Sequence, residues 1–264
     1  MNIYRRELQA NLKSLIIWGV IVALLAWIAM MKFSAFANDP EMLAVLDAMP
    51  KQIVNALEMN AFNLTTLNGY LGGLFFYYAL MGAIAAGLWG SGVIAGEERN
   101  KTIEFALTLP VSRPRFLLAK ALAAFTLSLA FVLVTWGATL LTIQPYDPDG
   151  DVYAYLARLM LAMAAIEVIF LTVGLLAACA LKRPKRAGSV VIAVILTTFY
   201  LSMISGLDER VDFLKYLTPF KYFDAAALLH QGGVEGVYWA LSAGVVGACL
   251  AGAFWAYNRR DVLI

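Results

Sequence analysis

The sequence EERNKTIEFALTLPVSRPRFLLAK, residues 97–120, separates two long apolar runs that contain no charged residue. The first run covers residues 71–95 and the second covers residues 121–143. Each run has the roughly 20 apolar residues that a helix needs to cross a hydrocarbon core about 30 Å thick. The polar stretch between them is therefore expected to lie at one face of a membrane.

The composition of the whole chain agrees with a membrane environment. Hydrophobic residues make up 62% of the 264 residues, charged residues make up 14%, and the mean hydropathy is +0.75. A soluble domain of this length could not bury so much apolar surface. Six runs are long enough to span a bilayer, and they are too long and uniform for barrel strands. The sequence thus predicts an all-α integral membrane protein, a single domain over residues 1–264, with spans near residues 15–31, 71–95, 121–143, 159–181, 187–207 and 236–257.

The distribution of charge predicts the orientation of these spans. If both termini lie on the inner side, the inner segments contain 14 of the 20 Lys and Arg residues but only 5 of the 18 acidic residues. Basic residues are enriched in cytoplasmic loops, so we expect both termini and residues 97–120 to be cytoplasmic. The net charge of +2 is too small to indicate a nucleic-acid partner.

An amphipathic pattern precedes the first span. Tyr4, Leu8, Leu12 and Leu15 fall on one face of a helix, and basic and polar side chains fall on another. This pattern is typical of a helix that lies in the inner membrane interface before the first span begins. The alternative is a frayed basic segment that only sets the topology.

Residues 97–109 form a second amphipathic helix when they are placed at 100° per residue. Pro110 ends this helix, and Ser112 with Pro114 can start the next one. Periodicity leaves two interpretations open, a helix that rests on lipid and a helix that docks on a partner. The polar side carries Glu97, Asn100, Lys101, Glu104 and Thr108, and the rest of the surface carries Thr102, Ile103, Phe105, Ala106, Leu107 and Leu109.

The same segment carries a resemblance to a known family. The sequence GEERNKTIEF at residues 96–105, followed by LPVSR at residues 109–113 and by Lys120, resembles the permease subunits of bacterial ABC exporters. These are type-2 ABC permeases with six helices and no fused ATPase. Lys101 stands where a glycine is commoner in this family, and it matches a Lys-Thr subgroup. Two terminal sequences, YRREL at residues 4–8 and YNRRD at residues 257–261, also match.

The resemblance implies a function and a set of partners. Residues 97–109 would be the coupling helix that docks on a separate ATPase subunit, which would hold ATP and Mg, and the N-terminal helix would be a second contact. A second permease chain, the bacterial plasma membrane and export by alternating access are implied as well. The coupling residues implied by the resemblance are Glu97, Glu98, Arg99, Lys101, Thr102, Glu104, Phe105 and Leu107.

The residues themselves show no catalytic, cofactor-binding or metal-binding pattern. His230 is the only histidine, which excludes HExxH zinc sites, and no GxxxxGK[ST] sequence is present to bind ATP in a P-loop. We therefore expect a transport subunit and not an enzyme. Two alternatives are a stand-alone secondary transporter and a membrane-embedded enzyme. The first would usually carry several ionisable groups within its spans, and the second would need a nucleophile and a base.

Glu167 is the one charged residue within the predicted spans. An ionised carboxylate at this depth is costly, so we expect Glu167 to be protonated, paired or facing a polar cavity. It either lines the translocation path or is a neutral acid that bonds to a neighbouring helix, for example to Thr135 or Thr139.

Small residues and aromatic residues give two further expectations. The first is close helix approach, within the chain or at a dimer face, at Gly69 and Gly73, at Gly92 and Gly96, and along Gly244, Ala248 and Gly252. The second is a position at the lipid headgroups for the outer aromatic residues Tyr216, Phe220, Tyr222 and Phe223.

Overall fold

The computed structural model describes residues 3–37, 62–99, 111–205 and 209–259, and these parts of the chain are helical and contain no strand. Two short helices, α6 (Pro219–Tyr222) and α7 (Ala225–His230), precede the last long helix. The predicted all-α fold with six membrane-spanning helices is confirmed. The helices that are long and apolar enough to span a membrane are α1 (Ile3–Phe36), α2 (Leu67–Arg99), α3 (Arg113–Ile143), α4 (Gly150–Ala180), α5 (Ala187–Ser205) and α8 (Gly236–Arg259).

Several spanning helices extend well beyond their apolar runs. The predicted interfacial segment is the first part of α1 and is continuous with the first span, because no proline or glycine interrupts residues 3–18. At 1.5 Å per residue the 34 residues of α1 reach about 51 Å, longer than the hydrocarbon core, so its end turns extend beyond the core. Ser112, with extended backbone angles, precedes α3, and Pro114 lies in its first turn as predicted.

The helices α2 and α4 form the centre of the bundle. They pack against each other more extensively than any other pair, while α1 packs on α3, α8 on α4 and α5 on α2. Large apolar side chains are exposed on the outer helices, for example Ile17 on α1 and Trp255 on α8. Exposed apolar surface of this kind is suited to lipid.

The closest approach between α2 and α4 occurs at glycines that the spacing pattern does not single out. A Cβ atom at Gly90 would lie 2.1 Å from the main-chain oxygen of Leu171, and one at Gly174 would lie 2.4 Å from the main-chain oxygen of Gly87. Only glycine leaves room for this contact.

Among the glycines that the sequence pattern did single out, Gly252 approaches α4, since its Cβ atom would lie 3.0 Å from Leu176 Cδ1, but three others behave differently. A Cβ atom at Gly92, Gly96 or Gly244 would meet no atom within 4 Å, so these three glycines make no close helix contact within the described chain. The expectation of close packing within the chain is wrong for them, because a GxxxG spacing does not say which side of a helix meets a neighbour.

The segment between α5 and α8 folds back onto the bundle. Tyr222 and Phe223 are buried, and the Phe223 ring lies against Trp239 with centroids 5.1 Å apart, so these two side chains pack on protein neighbours. Tyr155 Oη donates to the main-chain oxygen of Ala225 at 2.9 Å, and this bond ties α7 to α4. Tyr216 remains exposed.

Candidate functional site

The predicted coupling residues lie at and beyond the end of α2. Glu97, Glu98 and Arg99 are its last three residues. The others, Lys101, Thr102, Glu104, Phe105 and Leu107, lie outside the described residues, as does the rest of the predicted coupling helix. The described structure begins again just before α3.

Lys120 occupies a position that the charge pattern did not predict. The sequence analysis placed Lys120 in a cytoplasmic segment before the third span, but the residue lies within α3 and is only 1% exposed. Its Nζ atom donates to Glu7 Oε2 and to the main-chain oxygen of Val93, both at 2.6 Å. The Phe116 ring lies on the same side, with its centroid 5.3 Å from Nζ. Lys120 thus forms a buried ion pair between α1 and α3 and also bonds to α2.

Further polar contacts fasten α1 to its neighbours near this ion pair. Trp89 Nε1 on α2 donates to Ser14 Oγ at 3.1 Å, while within α1 Asn11 Nδ2 donates to the second carboxylate oxygen of Glu7 at 3.1 Å. The hydroxyl groups of Tyr4 and Thr126 lie 2.9 Å apart. The face of α1 that packs on α2 and α3 is therefore partly polar, whereas the basic side chains of Arg5 and Arg6 are exposed.

The carboxyl group of Glu167 is wholly buried where α2, α3 and α4 meet. Ser128 Oγ on α3 donates to its Oε2 atom, and Oε1 has no hydrogen-bond partner among the described residues. A Cβ atom at Gly82 on α2 would lie 2.7 Å from Oε1, so this glycine makes room for the carboxyl group. In this conformation Glu167 belongs to a closed contact between three helices.

The partners suggested for Glu167 from the sequence are incorrect. Thr135 and Thr139 are buried, but their hydroxyl groups donate to the main-chain oxygens one turn earlier on α3, those of Phe131 and Thr135. Ser128 is the residue of α3 that donates a hydrogen bond to Glu167 instead. Among the residues that the structure describes, no three His, Cys, Asp or Glu side chains lie close enough together to hold a metal ion.

The chain matches a family over almost its entire length. The sequence model described as ABC-2 family transporter protein matches residues 1–262. A search of curated proteins finds no match. The family match agrees with the six spanning helices and with the absence of a P-loop sequence. The chain therefore belongs to the ABC-2 family of transporter proteins, as a membrane permease that acts in transmembrane transport.

Proposed function

We propose that this chain is the permease subunit of an ABC exporter and that a separate subunit binds ATP and Mg and hydrolyses the nucleotide. The family match over residues 1–262 is the observation that carries this proposal. The 264 residues contain no Walker A motif, which agrees with a nucleotide site on a separate subunit. Export, as opposed to import, is supported by the resemblance of residues 96–120 to exporter permeases.

The connection between α2 and α3 is the proposed docking element for the ATPase. It leaves α2 after Arg99 and enters α3 at Arg113, and the two helices are held together close to these ends by the bond from Lys120 to Val93. A force on residues 100–110 would therefore reach two spanning helices at once. The coupling residues named from the resemblance, from Glu97 to Leu107, lie at or within this connection.

Two of the apolar residues of this connection give the test of coupling. We expect Phe105→Ala combined with Leu107→Ala to abolish co-purification of the ATPase subunit, because buried apolar anchors contribute about 1–3 kcal/mol each to such a contact. Glu97→Ala is the control and should reduce the retained ATPase only slightly, since an exposed ion pair is worth about 0–1 kcal/mol. The measurement is the amount of ATPase retained on a tagged chain, with membrane insertion checked in parallel. Full retention by the double variant would show that this segment only rests on lipid.

We also propose that the protein lies in a bacterial plasma membrane with both termini in the cytoplasm. Support comes from the turn between α4 and α5, where Lys182, Arg183, Lys185 and Arg186 are all exposed. Such a cluster favours the cytoplasmic side.

Cysteine labelling in intact cells tests this orientation. A membrane-impermeant maleimide should label a cysteine at Asp151 but not one at Lys185, and both positions are exposed. Asp151 is a better probe than Asp149, whose side chain accepts a hydrogen bond from Val152 N and caps α4. The native Cys179 and Cys249 are buried and should give little background. Labelling at Lys185 from outside would overturn the topology.

A second permease chain completes the proposed transporter. The last spanning helix, α8, is the least buried of the six in the described structure, and its surface around Val237, Leu241 and Gly244 is apolar. Two such chains would form the translocation path between them and expose it alternately to each side. Glu167 is a candidate for this path if the contact between α2, α3 and α4 opens during transport.

A further inference from the structure

Lys120 joins three helices at one point. Its ammonium group bonds to Glu7 on α1 and to the main chain of Val93 on α2, and its own main chain belongs to α3. Asn11 donates to the other carboxylate oxygen of Glu7, so both oxygens of Glu7 are held. The Lys120 ammonium group, the Glu7 carboxylate and the main-chain oxygen of Val93 are thereby fixed relative to one another.

The burial of this ion pair determines what it contributes to stability and to the arrangement of the helices. The side chain of Lys120 is 1% exposed and that of Glu7 is 13% exposed. Moving both charges out of water offsets much of their attraction, so the pair by itself is weak evidence for stability. Loss of either partner removes the opposite charge that offsets this desolvation cost, which is disfavoured. The pair therefore selects one arrangement of α1 against α3.

The position of the contact along the helices relates it to the proposed docking element. Val93 lies six residues before the end of α2 at Arg99, and Lys120 lies seven residues after the start of α3 at Arg113. At 1.5 Å per residue both points are about 10 Å from the helix ends. Lys120 thus fastens the two arms of the α2–α3 connection at nearly equal depth.

We propose that Lys120 is a positioning residue that holds both arms of the α2–α3 connection and fastens them to α1, so that displacement of residues 100–110 moves the three helices together. This inference rests on the proposed function, since it requires an ATPase that engages the connection. The Glu7 carboxylate, through its bond to Lys120, gives α1 a mechanical role in coupling.

The test separates stability from coupling with a cycle of three variants, Glu7→Gln, Lys120→Met and both together. Each is reconstituted with the ATPase subunit that co-purifies with the wild-type chain. The readouts are the unfolding temperature, the amount of ATPase retained and the stimulation of ATP hydrolysis by the permease. We expect each single variant to lower the unfolding temperature. The double variant should recover much of this loss, because neither charge of the Glu7–Lys120 pair remains.

Stimulated hydrolysis is the readout that a purely structural role would not change. In the double variant we expect stimulation to remain reduced by about fivefold or more although the ATPase is retained. Glu7→Asp gives an independent check, because it keeps both charges and withdraws the carboxylate by one methylene. This variant should keep an unfolding temperature near that of the wild type and still lose stimulation. It also replaces the double variant as the deciding measurement if the latter does not fold.

The matched control is Lys13→Met, which removes an exposed positive charge from the same end of α1. It should leave all three readouts unchanged. Wild-type stimulation in the double variant, or in Glu7→Asp, would overturn the positioning role and leave the proposed function intact. Failure of the wild-type chain to retain any ATPase would instead overturn the proposed function, and this inference with it.

Discussion

Gly90→Ala is expected to lower the free energy of unfolding by about 3 kcal/mol and to remove most of the folded protein. The added Cβ atom would lie 2.1 Å from the main-chain oxygen of Leu171, far inside van der Waals contact. The opposing atom belongs to the backbone of α4, so no change of rotamer can relieve the overlap. The helices α2 and α4 would have to separate along the centre of the bundle. Gly174→Ala should act similarly, since its Cβ atom would meet the main-chain oxygen of Gly87 at 2.4 Å.

Gly92→Ala is the matched control, because it makes the same chemical change two residues away on the same helix. A Cβ atom at Gly92 meets no atom within 4 Å, and alanine is the better helix former. We expect Gly92→Ala to leave stability unchanged or to raise it by up to about 1 kcal/mol. The measurement is thermal unfolding in detergent together with the yield of monodisperse protein. Equal stability of the Gly90 and Gly92 variants would show that α2 and α4 do not approach as closely as described.

Composition predicted the six spanning helices because a long apolar run has few alternatives in lipid. It did not predict their ends, since a helix continues into polar turns that hydropathy does not count. The start of α3 shows this, because residues 113–120 carry three basic residues and were assigned to a cytoplasmic segment. Lys120 was therefore counted as a topology signal, although it is a buried member of an ion pair.

Contacts between distant parts of the chain were the harder part of the prediction. Glu7 and Lys120 are 113 residues apart, and the only hint in the sequence is that Glu7 is the single acidic residue before residue 38. Ser128 and Thr135 share nearly the same face of α3, seven residues apart, but they differ in depth by about 10 Å. The sequence suggested hydroxyl groups of the third span as partners of Glu167. It could not give the depth at which α4 is set against α3.

Glu167→Lys should remove most of the folded protein, whereas Glu167→Gln should leave expression nearly intact. Lysine at the centre of a spanning helix costs about 2.5–3.5 kcal/mol on insertion scales. In this site it would also be crowded by Gly82 and Met163, with Ser128 as the nearest described polar partner. Glutamine keeps the volume of the side chain and one oxygen that can accept the bond from Ser128.

The same two substitutions at Glu235, an exposed residue before α8, provide the control and should both be tolerated. Fluorescence-detected size-exclusion chromatography of tagged variants measures the folded fraction, and transport assays then separate two roles for Glu167. If Glu167→Gln folds but does not transport, the carboxyl group acts in the translocation path. If it folds and transports normally, the group serves only the packing of α2, α3 and α4. Normal folding and transport of Glu167→Lys would contradict both roles. Only a site that reaches water tolerates that charge, which excludes the packing role, and normal transport without the carboxyl group excludes the role in the path.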